Sequence, residues 1–306
     1  MSLAASAGDA FAIASAVCFA VSNVTIARGA RAGTPDNGAF VSLLLTTAIS
    51  GFAWVALGMA RGFPPVTTRA IFWFAGAGVF TAFVGRVFFY ESVERLGAMR
   101  SSTLKRLNPF FSVVLGVLVL GETLTGGATA GVVLMIASFA VLVSGERRLA
   151  REHGAGLAPR GPARFGYAYG VISALGYATG YLLRKMGLAD AHDALMGALV
   201  GCAVGAALFV ATAGFSRAYA AAVRATFAHP NAWLIGAGVM SSFGQILYFA
   251  ALNESPMSRV ALIVSMEVFV TLFLGYALLR RSERLTPALL AAAILGVAGT
   301  ALIVGA

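Results

Sequence analysis

The sequence is short of charge, and shortest of negative charge. Asp and Glu together number 12 in 306 residues, Lys and Arg 22, and 11% of positions are charged. Soluble domains keep about a quarter of their residues charged, so a water-exposed globular surface is excluded. Cysteine is nearly absent. Cys18 and Cys202 both sit inside apolar runs, which excludes a disulfide framework and leaves them as small buried hydrophobes. The three histidines, His153, His192 and His229, fall in polar connections with no second ligand at metal-binding spacing, so no metal site is expected. No Gly-x-x-x-x-Gly-Lys-[Ser/Thr] phosphate loop is present, so an ATP motor would have to come from another chain, and no cofactor is implied. The first basic residue, Arg28, follows the first apolar run. That run therefore lacks the positive leader of a cleaved signal and reads as a retained span.

What remains is apolar. Hydrophobic residues make up 59% of the chain and the mean hydropathy is +0.86, more apolar surface than one soluble core of this length hides. In lipid every backbone polar group must be satisfied internally, which leaves helix bundles or closed barrels. The apolar runs are continuous for about 20 residues, the length a helix needs to cross a bilayer, and do not alternate in the shorter segments of a barrel. Ten spans follow, near 9–27, 38–60, 70–90, 99–120, 127–144, 165–183, 194–214, 231–253, 257–279 and 286–305. The longest connection, 146–164, holds two prolines and five arginines and divides the chain into a first five-helix repeat, 1–145, and a second, 165–306.

A net charge of +10 invites a nucleic-acid partner, but the arginines lie in loops beside spans and accompany no nucleic-acid-binding module. Membrane topology explains them better. Arg28, Arg31, Arg95, Arg100, the five from Arg147 to Arg164, Arg217, Arg224, Arg280, Arg281 and Arg284 follow odd-numbered spans. Arg61, Arg69, Arg184, Lys185 and Arg259 fall on the opposite side. The bias places both termini outside.

The halves superpose in sequence. Ser15-Ala16-Val17-Cys18-Phe19-Ala20 runs parallel to Ser173-Ala174-Leu175-Gly176-Tyr177-Ala178, and Asn108-Pro109-Phe110 to Glu267-Val268-Phe269. Since each half has an odd number of spans, the second is inverted relative to the first, a pattern of transporters. Leu107-Asn108-Pro109-Phe110 with Leu120-Gly121-Glu122-Thr123-Leu124-Thr125 resembles the Pro-then-LGE-x-L-[ST] pattern that ends each half of the ten-span EamA-type drug/metabolite transporters. In the second half Met266-Glu267-Val268 keeps the Glu without the Pro, and Arg281-Ser282-Glu283 keeps only the Glu. The resemblance implies an all-α membrane fold of ten helices in two inverted repeats. It further implies a multi-pass protein of the bacterial inner membrane that exports amino acids, drugs or other metabolites, most similar to the aromatic amino acid and paraquat branch.

Candidate site residues follow from polarity at depth. Glu267 lies near the middle of the ninth span, close to the midplane, where a carboxylate costs ~2.5 to 3.5 kcal/mol. Either it meets a substrate cation or a coupling proton, or it is a structural pair with Arg86, Lys105 or Arg106. Asn108 is its counterpart in the fourth span, and Pro109 there marks a kink. Lys105 and Arg86 either snorkel to the interface or face inward toward a substrate carboxylate. Tyr90, Tyr248, Tyr177 and Tyr181 suggest a ring-lined cavity or ordinary packing. Gln245, Asn253 and Asn23 add polar positions, and Trp54, Trp73 and Trp233 read as interface anchors. Gly197, Gly201 and Gly205, with Gly176 and Gly180, allow close helix packing or a sliding surface, so that a bulky residue at Gly201 is expected to jam transport. Small-molecule substrate and lipid are the partners expected, with no obligate protein partner. An intramembrane enzyme would need a convergent catalytic set and a channel no alternating site; both are weaker readings than a secondary transporter.

Overall fold

In a computed structural model, residues 7–30, 38–89, 92, 104, 107–152, 163–279 and 287–304 are described. Among them all regular structure is helical. The helices are α1 (Ala7–Ala30), α2 (Ala39–Arg61), α3 (Thr68–Gly78), α4 (Asn108–Leu120), α5 (Gly126–Glu152) and α6 (Ala163–Ala191). The second half continues with α7 (Ala194–Ala213), α8 (Arg217–Ala228), α9 (Ala232–Glu254), α10 (Met257–Val264), α11 (Glu267–Leu279) and α12 (Pro287–Val304). A π-helical stretch, Val79–Gly85, carries α3 on to Phe89, so the third span is Thr68–Phe89. Among the described residues six spans are individually long and apolar enough to cross a bilayer, and large side chains such as Phe52, Phe72 and Leu118 face outward, as lipid-facing positions should.

The inverted repeat is visible in the packing. α1 lies along α9 and the third span along α6, while α5 packs on α12, α2 on α7 and α4 on α10. Exchanging the halves maps the first two of these pairs onto each other, and the pairs α5–α12 and α2–α7 each onto itself. The detail repeats as well. Ser15 Oγ donates to Gly244 O at 2.7 Å, and Ser173 Oγ to Gly85 O at 2.5 Å. A methyl on Gly244 would press on Phe19 at 2.9 Å, and one on Gly85 on Tyr177 at 3.0 Å. Serine, glycine and ring thus recur at the register read from the sequence. Each such serine bond in lipid is worth about 0.6 kcal/mol, and the glycine lets the backbones come within its reach.

Spans four and nine are both interrupted, at equivalent places. α4 starts at Asn108 with Pro109 in its first turn, where a missing N–H leaves no bond unmade. The expected kink is therefore a helix start. Span nine breaks without proline: Ser265 Oγ donates to Leu262 O at 2.6 Å, and Met266 N bonds the closer Ile263 O, before α11 begins at Glu267. Glu122 of the LGE segment caps the first of these half-helices, accepting from the amides of Met257 and Ser258 at the start of α10 (2.5 and 2.9 Å).

Three boundaries differ from expectation. α6 runs on to Ala191, because Arg184 and Lys185, read as loop charges, belong to the helix. α5 continues to Glu152, into the connection expected from 146. The connection between spans seven and eight contains α8, which seats Tyr219, Ala222 and Val223 against Phe40 and Phe209. Its apolar residues are spaced three and four apart, an amphipathic signal too short to register as a span.

Candidate functional site

A cavity of about 450 Å³ lies between the two halves. Ile26 near the end of α1, Gly38 and Ala39 at the start of α2, and Phe89 at the end of the third span line its mouth. It therefore opens at the face that carries Arg28, Arg217 and Arg224. Gly201 and Glu267 line it at mid-depth, and Tyr181, Arg184 and Phe249 deeper still. Ser22, Ser42, Thr46, Thr81, Ser241 and Gln245 add polar atoms to the wall.

Glu267 stands at the N-terminus of α11, where the helix dipole favours a negative charge, and accepts from Asn23 Nδ2 at 3.0 Å. Asn23 also donates to Thr271 Oγ1 at 3.4 Å. Asn23 and Glu267, named separately from the sequence, meet here. Tyr177, Tyr181, Gln245 and Gly201 line the same cavity. Arg86 faces inward: it lines the wall, and its Nη1 is buried with no hydrogen-bond partner among the described residues.

Other candidates lie elsewhere. Asn108 is half-buried at the start of α4, accepts from Ser112 Oγ at 3.3 Å and does not line the cavity. Tyr248 is 2% exposed and stands behind the wall, its ring 4.8 Å from that of Tyr181. Its bulk fills the core between α6 and α9. Asn253 donates to Glu254 at 3.1 Å, away from the site. Tyr90, Lys105 and Arg106 lie outside the described residues.

Arg184 is the residue that sequence reasoning missed. It is 5% exposed and its guanidinium lies over the rings of Phe249 (4.8 Å), Tyr181 (5.2 Å) and Tyr248 (5.8 Å). With the Gln245 amide turned to satisfy both its atoms, Oε1 accepts from Nη2 at 2.5 Å and Nη1 at 2.9 Å. A long apolar run stops at Leu183, and charge just after such a run reads as a loop. The signal that finds it is periodic: Tyr177, Tyr181 and Arg184 lie on one helical face with no turn residue after them.

The glycines hold this wall together. A methyl at Gly180 would run into Thr81, one at Gly176 would meet Val84 at 2.9 Å, and both contacts fall on the π-helical stretch. Gly197 is tight against Phe249 (2.6 Å) and Gly205 against Ala82 (2.8 Å). Gly201 itself has room, with nothing nearer than 3.5 Å; the close approach belongs to Gly78, whose methyl would strike the Gly201 backbone.

The opposite face is closed by polar ties. Arg259 makes a bidentate pair with the fully buried Asp9 (Nε–Oδ1 2.7 Å, Nη2–Oδ2 2.8 Å). Trp54 and Trp73 do lie near span ends, and each donates to an aspartate of the α6–α7 hairpin, Asp193 at 2.7 Å and Asp190 at 3.1 Å. Lys185 donates to the carbonyls of Leu252 (2.5 Å) and Ser255 (3.0 Å) at the end of α9. Outside this layer a shallow depression of about 460 Å³ includes Arg69, Lys185 and Asp190.

The EamA-like transporter family matches residues 6–144 and again residues 164–305, one match for each half. The chain belongs to that family. It is thus a multi-pass membrane transporter with ten helices in two inverted repeats. A protein crystal structure shares the fold with a TM-score of 0.68 and 18% identity over 98% of each chain. No curated protein matches the sequence. Within this EamA-like chain, Pro109 and Glu267 both fall in the first turn of a helix, α4 and α11 respectively.

Proposed function

We propose that this protein is a secondary transporter that exports small metabolites across the bacterial inner membrane, with amino acids, aromatic ones among them, as the leading class and cationic drugs as a further one. The observation that carries the reading is the asymmetry of the cavity: it is open at one face and shut off from the other by the Asp9–Arg259 layer. A channel has one continuous path, whereas alternating access needs a site closed at one end at a time. The inverted halves supply the second state. Exchanging their roles exchanges the open and closed faces, with the glycine-lined contacts of the third span with α6 and α7 as the surface that slides. The cavity, about 450 Å³, is of the size that holds small metabolites, and its rings suit an aromatic substrate.

A sugar nucleotide or another anionic metabolite is the second reading, favoured by Arg86 and Arg184 in the wall. Counterflow in proteoliposomes separates the classes. Vesicles loaded with aromatic and aliphatic amino acids, quaternary cations or sugar nucleotides are expected to accumulate labelled amino acid only when preloaded with a competing substrate. Equal, unsaturable entry with or without preloading would contradict alternating access.

A further inference from the structure

The geometry points to Arg184 as the residue that fixes what this cavity accepts: its buried guanidinium, which lines the wall and whose Nε lacks a hydrogen-bond partner among the described residues, holds an oxyanion of the substrate, a carboxylate or a phosphate. The inference rests on reading the cavity as the substrate site. A guanidinium carries five N–H groups in a fixed fork. Gln245 Oε1 takes one hydrogen each from Nη1 and Nη2 at the tip. Thr81 Oγ1 receives a long bond from Nη2, 3.4 Å. Nε is buried and has no partner among the described residues. The side edge, where Nε–H stands beside the Nη2–H that Thr81 engages only at long range, is therefore the least satisfied part of the fork and the part an acceptor oxygen would complete.

Charge points the same way. Among the described residues no carboxylate lies within ion-pair distance of Arg184 or of Arg86. A buried guanidinium held by a neutral amide, a hydroxyl at long range and rings is a costly arrangement, and costs less once an anion arrives. The three rings around Arg184 hold the plane of the guanidinium fixed, so binding need not order a flexible side chain. The repeat shows that the charge is particular to this cavity. Arg86 and Gln245 occupy equivalent positions in the two halves, as do Arg184 and Ile26, at the offset of 158 to 159 residues that relates Ser15 to Ser173 and Gly85 to Gly244. In each pair one member is cationic and the other neutral, so the cations come from the third and sixth spans, which pack together.

The test compares acid with neutral analogue on purified full-length protein. Thermal stabilisation is measured with L-phenylalanine against phenylalaninamide, and with glucose phosphate against glucose, in wild type, Arg184→Gln and Arg184→Lys. The wild type is expected to favour the acid by about tenfold or more in one of the two pairs, since a site built around a substrate group rejects the analogue that lacks it. The pair that responds identifies the oxyanion as carboxylate or phosphate. Arg184→Gln should abolish the preference, and Arg184→Lys should restore part of it as a point charge. Equal binding of acid and neutral analogue by wild type, or no binding of either acid, overturns the assignment without reference to any variant. So does an unchanged acid preference in a folded Arg184→Gln protein, which would leave Arg184 a tie to Gln245 alone. Counterflow with the same compounds separates this inference from the reading beneath it. Selective acid binding without counterflow would contradict transport and leave Arg184 assigned; counterflow of cations and amides alone would do the reverse.

Discussion

At the residue scale, Glu267 is a carboxylate at mid-depth whose Oε1 takes a hydrogen from Asn23, at a helix start that favours its charge. Glu267→Gln keeps the shape and removes the charge. Transport is expected to fall by about tenfold or more while the protein stays folded and inserted, because a membrane carboxylate is retained at such a cost for function. Uptake kinetics unchanged across pH in that variant would remove Glu267 from the mechanism. Polarity inside an apolar run is legible in one dimension, so Glu267 and Asn23 both stood out in the sequence, though not as a pair. The sequence did not locate Arg184, because charge at the end of a run has the same appearance whether the helix stops or continues. Nor could it separate Tyr181, which lines the cavity, from Tyr248 behind it. The two rings lie on different helices, and which side chain reaches a cavity depends on how those helices are rotated.

At the element scale, the closed face depends on the start of α1 being held to α10. Asp9 is fully buried and held by a bidentate guanidinium, so Arg259→Ala removes the pair that offsets its desolvation and should cost about 3 to 5 kcal/mol in thermal or denaturant unfolding. Asp9→Asn neutralises the buried member, while Arg259 is the more exposed of the two, so it should cost less while loosening the face. Cys202 lines the central cavity and reports on this in a Cys18→Ser background. A membrane-impermeant thiol reagent should reach Cys202 from the arginine-rich face alone in the parent, and from both faces in Asp9→Asn. The same one-sided labelling in both would show that the ion pair is not a gate.

The glycine contacts belong to this scale too. The spacing of Gly197, Gly201 and Gly205 was readable, but which glycine is critical depends on a partner from another helix. Gly78→Ala would drive a methyl into the backbone of Gly201, which cannot give way as a side chain can, and should cost about 1 to 3 kcal/mol and reduce counterflow. Gly201→Ala meets only ordinary contacts and should be tolerated. A bulky residue there acts by filling the cavity. Equal counterflow in the Gly78→Ala variant and the parent would show that the third and seventh spans do not move on one another.

At the scale of the whole molecule, the class and the inverted repeat were readable because lipid imposes length and composition on every span, and because the repeat preserves local patterns such as Ser15 with Phe19 and Ser173 with Tyr177. The helix interruption near Glu267 was not, since no proline marks it; it comes from Ser265 and Met266 bonding to nearer carbonyls. The central claim is that one face must open for the cavity to deliver what it took from the other. Asp9→Cys with Arg259→Cys, in a background lacking Cys18 and Cys202, allows that face to be locked with a short reducible bifunctional maleimide. Counterflow in proteoliposomes should be lost on cross-linking and return on reduction. Counterflow that continues undiminished in fully cross-linked protein would contradict alternating access through this cavity.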